Sequence, residues 1–398
     1  MNLSAFSITA LPRLVFGAGR LAELPQLITE FGQHALLVTG GRSFRQSVRW
    51  TTLVQALEQR AITHDSFVVD GEPSPEMVDA AVRQFHGAGI AVVIGIGGGS
   101  VLDAAKAIAG LLPSGNSVLD HLEDVGRGIP YTGPSLPFIA VPTTAGTGSE
   151  ATKNAVLSRN GPDGFKKSFR HDTLMARVAL VDPELLAGCP RHLMAAQGMD
   201  AFTQLLESYV SLRANPYTDA LAWSGLEAVA GGFWAAVEGG DAEEAAAGRA
   251  AMAYAALLSG ITLAQVGLGS VHGLAQPLGS LFPVPHGVAC GTMVADATAI
   301  NVQALGERAP QSPALAKYAR VGRLLSGEAG LSDAAARQAL VVTLKSWCAR
   351  LELPRLGHFG ITADDIPAIV AASRNNSMKS NPIVLTDEEI AAIVRQRL

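Results

Sequence analysis

The feature that most constrains the fold is an apolar run that ends in glycines and leads directly into a helical pattern. Residues 90–112 have the sequence IAVVIGIGGGSVLDAAKAIAGLL, in which a buried-strand pattern precedes three consecutive glycines and a helix pattern. Further strand patterns occur at residues 34–41, 62–69 and 137–142, and helical patterns follow the first two. Strands that alternate with helices at this spacing predict a parallel β-sheet with helices on both faces.

The second half of the chain has a different pattern. Beyond about residue 181 it is rich in Ala and Leu with helical periodicity, and its final segment, TDEEIAAIVRQRL, begins with a capping pattern. A length of 398 residues also favours two hydrophobic cores over one. We therefore predict an α/β domain over residues 1–185 and an all-helical domain over residues 186–398.

Composition and charge argue against several classes of protein. The formal net charge is −5 and there is no basic run, so we expect no nucleic-acid partner. Cys189, Cys290 and Cys348 are too few and too widely spaced for a disulfide framework or a thiolate zinc cluster, which predicts reduced, mostly buried thiols in a cytoplasmic protein. The first residues lack a signal-peptide pattern. Residues 250–295 carry no Asp, Glu, Lys or Arg, but Gln265 and several glycines favour a buried helix over a membrane span.

The glycine-rich turn predicts a phosphate site. Gly97, Gly98 and Gly99 separate a buried strand from a helix N-terminus, where backbone N–H groups and the helix dipole favour an anion. The spacing fits neither the GxGxxG fingerprint nor a P-loop, so a purely structural turn is the alternative. A second small-residue turn, PTTAGTGSE at residues 142–150, follows another strand. Because parallel strands bring their carboxyl ends to one edge, the two turns together favour a nucleotide.

Acidic and imidazole side chains in the helical half predict a metal site. Asp200 and Gln204 lie one helical turn apart in GMDAFTQLLESYVS. The same spacing separates His272 and Gln276 in VHGLAQPLGSLFPVPHG, which also contains His286. Aspartate and histidine are common ligands of divalent metals, whereas glutamine is a weaker, neutral donor.

Together these segments resemble the iron-containing (group III) alcohol dehydrogenase family, which includes maleylacetate reductases. The resemblance rests on GGGSVLDAAKAIA, PTTAGTGSE, GMDAFTQLLESYVS and HGLAQPLGSLFPVPHG, and it extends from residue 14 to residue 390. It implies a nucleotide-binding α/β domain and a helical metal-binding domain, with catalysis in the cleft between them. It also implies a cytoplasmic enzyme, a homodimer or higher homo-oligomer, that uses NAD(P) to interconvert a small alcohol and its aldehyde or ketone.

The resemblance also assigns cofactor-binding residues. The pyrophosphate would be held by Gly97, Gly98, Gly99 and Ser100, and the helix after them would carry the family's usual acid and lysine, Asp103 and Lys106. The nicotinamide side would be lined by Thr143, Thr144, Thr147 and Ser149. Members that prefer NAD often carry an aspartate after the first strand, where this chain has Gly40, with Arg42 two residues further on. The missing carboxylate and the nearby arginine favour NADP or the use of both cofactors, although Arg42 could equally be a solvated surface residue.

The family's metal ligands, one aspartate and three histidines, correspond to Asp200, Gln204, His272 and His286, so a glutamine replaces one imidazole. A further family histidine, discussed as catalytic, is replaced by Gln276. Three interpretations are open. Iron or zinc binds Asp200, His272 and His286 with Gln204 as a weak fourth donor. Alternatively, a metal-free enzyme uses His272 or His286 to hydrogen-bond the substrate oxygen, or the protein binds nucleotide without turnover. The catalytic candidates are thus His272, His286 and Gln276.

Substrate residues are less strongly indicated. Asn154 matches a family position at the substrate end of the cleft, and Lys166 belongs to a basic group with Lys153, Lys167 and Arg170. These charges could recognise an acidic keto compound, as in a maleylacetate-reductase-like enzyme with little metal dependence. Ordinary solvated loop charges account for them as well.

Overall fold

A computed structural model of the chain describes residues 5–159, 164–239 and 242–398. They form two compact units: the α/β unit, Thr9–Cys189, and the helical unit, Pro190–Leu398 together with the described residues before Thr9. The predicted division at residue 185 had assigned all N-terminal residues to the first domain. Dinucleotide binding by the first unit and metal binding by the second remain predictions.

The α/β unit contains a six-stranded, all-parallel sheet and a separate antiparallel strand pair. The strands are β1 Arg13–Phe16, β2 His34–Gly40, β3 Thr63–Val69, β4 Val92–Gly97, β5 Phe138–Pro142, β6 Asn154–Arg159, β7 Phe165–Arg170 and β8 Val178–Val181. The helices are α1 Leu24–Thr29, α2 Val48–Gln59, α3 Pro75–Phe85 and α4 Gly99–Leu111. The sheet order is β1-β8-β5-β4-β2-β3, and β6 pairs only with β7. The predicted strands and helices of this half are confirmed.

Apolar residues cover both faces of the sheet. Along β2, Leu36 and Val38 belong to one buried cluster, whereas Ala35 and Leu37 belong to another. Because successive side chains of a strand point to opposite faces, the two clusters lie on opposite sides of the sheet. Every residue of β4 and β5 is buried. This burial explains why these strands appear in the sequence as continuous apolar runs.

The strand order creates a topological switch point between β2 and β4. From β2 the chain passes through α2 to β3 on one side, and from β4 it passes through α4 to β5 on the other. Ligands of open α/β sheets bind at the carboxyl ends of the strands beside such a reversal. In this sheet those ends are Gly40 of β2 and Gly97 of β4.

The helical unit is built from nine helices within the described residues. They are α5 Arg191–Val210, α6 Pro216–Glu238, α7 Ala242–Val266, α8 Ser270–Leu281, α9 His286–Arg308, α10 Pro313–Ser326, α11 Asp333–Arg350, α12 Ile366–Ala372 and α13 Asp387–Arg395. The predicted cap of the last helix is confirmed, since the Thr386 side chain accepts from Glu389 N and the Glu389 side chain accepts from Thr386 N. Helix α5 packs against α6, α7 and α9.

Helices α6, α7 and α9 are long and apolar enough to cross a membrane by length and composition. Of their apolar stretches, 61% of the one in α7 and 72% of the one in α9 is buried inside the protein. The uncharged run of residues 250–295 covers most of α7, all of α8 and the start of α9. The corresponding stretch of α6 is 39% buried, and all three helices pack against others of the same unit.

Candidate functional site

The two small-residue turns lie side by side at the carboxyl edge of the sheet. Strands β4 and β5 are hydrogen-bonded neighbours. A Cβ atom added to Gly98 would lie 3.1 Å from Thr144 Cγ2, and one added to Gly99 would lie 2.7 Å from Thr147 Cγ2. Gly98 is also the N-cap of α4, whose first N–H groups have no acceptor within the helix. The glycines therefore allow close backbone approach at a helix N-terminus, as anion binding requires.

Two of the predicted cofactor residues have partners inside the α/β unit. Ser149 Oγ donates to Asp103 Oδ1, and Val156 N donates to Asp103 Oδ2 at 3.0 Å. These bonds tie α4 to the turn after β5 and to β6. A direct contact of Asp103 or Ser149 with a cofactor remains a prediction, and their visible role is to hold the shape of the turn.

A fully buried lysine lies next to this turn. Lys106 Nζ donates to four oxygens: Ser149 O at 2.9 Å, Ser149 Oγ at 3.0 Å, Thr152 Oγ1 at 3.0 Å and Asn154 O at 2.8 Å. Burial lowers the pKa of Lys106 and raises that of Glu150 to about 7. We call Lys106 and these four oxygens the lysine cluster. Asn154 contributes its backbone carbonyl, and a substrate contact by its side chain remains a prediction.

The end of β2 carries an exposed arginine. β2 ends at Gly40, and its neighbours in the sheet are β3 and β4. Arg42 is exposed, and no residue in the described part of the chain accepts a hydrogen bond from its guanidinium. By contrast, Arg45 donates to Thr39 Oγ1 at 3.4 Å and stacks on Trp50. Of these two arginines, Arg42 is therefore the one whose charge a ligand can use.

The basic residues of β6, β7 and the segment before them are paired with acids. The ion pairs are Lys153–Asp172, Lys166–Glu72 (3.0 Å), Lys167–Asp124 (2.9 Å) and Arg170–Glu123 (2.9 Å). Recognition of an acidic substrate by Lys166 would have to compete with Glu72. The pairing gives these lysines an ordinary charge-balancing role, and a substrate role remains a prediction.

In the helical unit, one group of His, Cys, Asp and Glu side chains among the described residues is compact enough to hold a metal ion. It consists of Asp200, His272, His286 and Cys290, whose ligand atoms all lie within 4.8 Å of one another; we call it the donor group. Asp200 Oδ1 lies 3.2 Å from His272 Nε2 and 3.7 Å from His286 Nε2. Cys290 Sγ lies 3.6 Å and 3.8 Å from the same two nitrogens.

The structure thus brings together three residues that the sequence singled out and one that it did not. Asp200 lies on α5 and His272 on α8, while His286 and Cys290 are one turn apart at the start of α9. The available signal for Cys290 was its i+4 spacing from His286 in the segment PHGVAC. An aspartate oxygen and two imidazole nitrogens are a donor set that suits iron or zinc, so these residues fit a divalent metal.

A second carboxylate orients His272. Glu207 Oε2 lies 2.7 Å from His272 Nδ1, and the same carboxylate accepts from Gly269 N at 2.9 Å and Val271 N at 2.7 Å. Because Nδ1 donates to Glu207, the lone pair of Nε2 is directed toward the donor group. Sequence reasoning missed Glu207, although it lies seven residues after Asp200 and hence on the same helical face.

Burial and charge act in opposite directions on the donor group. Burial alone would lower the pKa of His272, but Cys290, Asp200 and Glu207 raise it well above its usual value. Burial would raise the pKa of Asp200, but His286 and His272 keep it below its usual value. Burial raises the pKa of the Cys290 thiol to about 12. The buried carboxylates therefore stabilise positive charge on the surrounding groups.

The two glutamines have different surroundings. Gln204 is buried, and its Oε1 accepts from Ser259 Oγ of α7 at 2.6 Å. The atom by which Gln204 would bind a metal is thus already hydrogen-bonded. Gln276 is half-buried on α8, one turn beyond His272. Metal ligation by Gln204 and a catalytic role of Gln276 both remain predictions.

Comparison with known proteins covers both units. A family model described as iron-containing alcohol dehydrogenase matches residues 12–183, and one described as Fe-containing alcohol dehydrogenase family, C-terminal, matches residues 194–398. Alcohol dehydrogenase 4 of Schizosaccharomyces pombe is 33% identical over 100% of this chain and 90% of that protein. NAD-dependent methanol dehydrogenase of Bacillus methanolicus is 30% identical over 97% of this chain and 98% of its own. The solved structure of a 1,3-propanediol oxidoreductase has a TM-score of 0.89 at 29% identity, covering 99% of this chain and 100% of the other.

Proposed function

Because the chain belongs to the iron-containing alcohol dehydrogenase family, we propose that its α/β unit binds the dinucleotide and its helical unit binds the substrate oxygen at the donor group. The protein is an oxidoreductase that interconverts alcohols and their carbonyl compounds with NAD(H), and its family uses iron or another divalent metal. The observation that carries the proposal is the convergence of Asp200, His272 and His286.

The cofactor site is proposed at the switch point of the sheet. The backbone of Gly97, Gly98, Gly99 and Ser100, with the N-terminus of α4, would bind the pyrophosphate. The turn with Thr143, Thr144, Thr147 and Ser149 would line the nicotinamide side. At Gly40 no carboxylate repels a 2′-phosphate, and Arg42 has a guanidinium free to pair with one. We therefore propose that NADP(H) is accepted alongside NAD(H).

The donor group is proposed to bind the metal and to orient it toward substrate. When bound, a divalent cation supplies Lewis-acid polarisation of the substrate oxygen. Asp200 supplies negative charge in a buried site, and Glu207 fixes the ring of His272 so that Nε2 faces the group. The side chain of His286 is 34% exposed, which marks the side from which a substrate can approach.

Reduction adds a hydride from the dihydronicotinamide to the carbonyl carbon and a proton to the oxygen. Gln276 has no titratable proton, so it can orient the substrate oxygen by a hydrogen bond but cannot act as an acid. We propose that the proton comes from solvent on the His286 side. This arrangement would differ from the pattern that the family resemblance implies, in which a histidine occupies the position of Gln276.

We also propose that the enzyme is cytoplasmic and assembles as a homodimer. Its three cysteines form no disulfide within the described residues, which suits a reducing compartment. β1 is an edge strand of the sheet, and Leu14 and Phe16 on it are 43% and 37% exposed. An exposed apolar edge strand favours pairing with a second copy. Light scattering of purified protein tests this, and a monomer at micromolar concentration would contradict it.

The function is tested with a substrate panel and both reduced cofactors. Oxidation of NADH or NADPH by small aldehydes is the expected result. Turnover confined to keto acids would favour the maleylacetate-reductase-like alternative, and cofactor binding without oxidation across the panel would favour a nucleotide-binding protein. Gly98→Val tests the cofactor site, because a side chain there meets Thr144 and blocks close approach of phosphate. We expect its affinity for NADH to fall at least about 100-fold, with the circular dichroism spectrum unchanged.

A further inference from the structure

We propose that Cys290 is a metal ligand and takes the place of the imidazole that is lost at Gln204. This inference rests on the proposed function, since it adds a fourth ligand to a metal held by the other three members of the donor group. It also changes the chemistry of the site, because a thiolate replaces a nitrogen donor.

The spacing of the donor atoms fits four-coordinate zinc. Metal–ligand bonds of ordinary length at tetrahedral angles separate a nitrogen from an oxygen by about 3.3 Å and a nitrogen from a sulfur by about 3.6 Å. Asp200 Oδ1 lies 3.2 Å and 3.7 Å from the two ring nitrogens, and Cys290 Sγ lies 3.6 Å and 3.8 Å from them. These four distances are close to those of one tetrahedral ion, and all the donor atoms lie within 4.8 Å of one another, so a small adjustment of the side chains would let one cation contact all four.

The surroundings of Cys290 direct its sulfur into the donor group. Cys290 is fully buried, and its Sγ contacts the ring nitrogens of His272 and His286. It lies one turn after His286 on α9, so both side chains project from the same face of the helix. Cys348, the other buried thiol of the helical unit, instead donates to the backbone carbonyl of Gly291.

Gln204 is the weaker candidate for the fourth position. Its Oε1 accepts from Ser259, and an amide is a hard, neutral donor. Asp200 and a Cys290 thiolate together carry two negative charges, which neutralise a divalent cation in a buried site. With Gln204 as the fourth ligand, one positive charge would stay uncompensated by the ligands, which burial disfavours.

The assignment predicts a preference for zinc over iron, because thiolate ligands select zinc among these divalent ions. Asp200, His272, His286 and Cys290 would together supply four ligands to the ion, so a substrate oxygen would have to bind in addition to them or displace one of them. The chain would then keep a family metal position but bind a different ion there with a different ligand.

Cobalt substitution of the full-length protein tests the proposal. Co(II) bound through a thiolate shows an intense sulfur-to-metal charge-transfer band in the near ultraviolet, separate from the visible bands that report occupancy. We expect this band in the wild-type protein, its loss in Cys290→Ser and Cys290→Ala at equal occupancy, and its retention in Cys348→Ser. We also expect at least about 10-fold weaker zinc affinity in both Cys290 variants.

The outcomes separate this inference from the proposed function. Wild-type protein that binds Co(II) without the charge-transfer band would overturn the role of Cys290 and leave the metal site intact. A charge-transfer band that is retained in Cys290→Ser, or that is lost in Cys348→Ser, would also overturn the role of Cys290. Wild-type protein that binds neither Co(II) nor zinc would overturn both proposals. Two variants at Cys290 keep the test valid if one of them unfolds.

Discussion

The lysine cluster of the α/β unit and the donor group of the helical unit are both buried and polar, but only the lysine cluster is built around a lysine. Lys106 Nζ lies 2.8–3.0 Å from four oxygens, so the positive charge and its acceptors come from the same unit. The donor group instead gathers a carboxylate, a thiol and two imidazoles, whose ligand atoms all lie within 4.8 Å of one another. In the lysine cluster the cation and its acceptors are already paired, whereas we propose that the donor group takes up a divalent cation from solution.

The largest expected effect is on stability at the lysine cluster. Lys106→Met keeps the length of the side chain but leaves four buried oxygens without their donor. We expect the free energy of unfolding to fall by about 3–5 kcal/mol in urea titrations. The zinc content should stay at the wild-type value, because the lysine cluster belongs to the α/β unit. A loss below about 1 kcal/mol would mean that the cluster is not a completed buried ion site.

The donor group should show the opposite response. Asp200→Asn retains the shape of the side chain but removes its charge, and we expect zinc affinity to fall at least about 100-fold, since even residues outside the ligand set cost 10–100-fold. Stability of the zinc-free protein should change little. Asp296→Asn is the matched control, because Asp296 is a buried acid of α9 paired with Lys345 at 3.2 Å. Equal metal affinity in both variants would refute the assignment of Asp200.

An intermediate effect is expected for the residue that orients His272. Glu207→Gln can accept with only one of its two terminal atoms, so it cannot satisfy His272 Nδ1 and the backbone N–H groups together. We expect zinc affinity to fall about 10–100-fold, measured by competition with a chelator. Glu238→Gln, at an exposed pair with Arg350, should leave it unchanged. Wild-type affinity in Glu207→Gln would show that the ring of His272 needs no support.

The smallest effect concerns Gln204. With Cys290 as the fourth ligand, Gln204→His should change zinc affinity by less than about 3-fold. In the Cys290→Ala background the same substitution should recover about 10-fold, because it restores an imidazole donor where the sulfur is missing. Isothermal titration of the four proteins measures both values. If Gln204→His alone raised the zinc affinity 10-fold or more, residue 204 and not Cys290 would be the fourth ligand.

Local patterns predicted most of the α/β unit but not the strands that lack a continuous buried run. β2, β4 and β5 were predicted because they are buried on both faces and therefore form continuous apolar runs. β1 is an edge strand with exposed residues, and β7 has the sequence FKKSFR, in which polar and apolar residues do not separate into a buried run. Strands of this kind are defined by their pairing partners, which no local pattern reveals.

The residues of the candidate site likewise fall into those that a local pattern predicts and those that only the packing of helices brings together. Asp200 and His272 each lie in an i, i+4 pair that a helical reading detects in the sequence. Glu207 and Cys290 acquire their roles only when α5, α8 and α9 pack together, since Glu207 and His272 are separated by 65 residues. The packing of α7 against α5 likewise brings Ser259 to Gln204, whose oxygen accepts its hydrogen bond. The sequence could therefore predict a metal site in which Gln204 stands at one ligand position, but not the proximity of Cys290 to that site.

Elemental analysis of protein purified anaerobically without chelators tests most directly whether the donor group is a metal site. We expect about one divalent ion per chain, zinc in preference to iron, lost in parallel with NADH-dependent aldehyde reduction when a chelator is added. Protein that contains no divalent metal, gains none on incubation with zinc and still reduces aldehydes at full rate would contradict a metal role for Asp200, His272, His286 and Cys290.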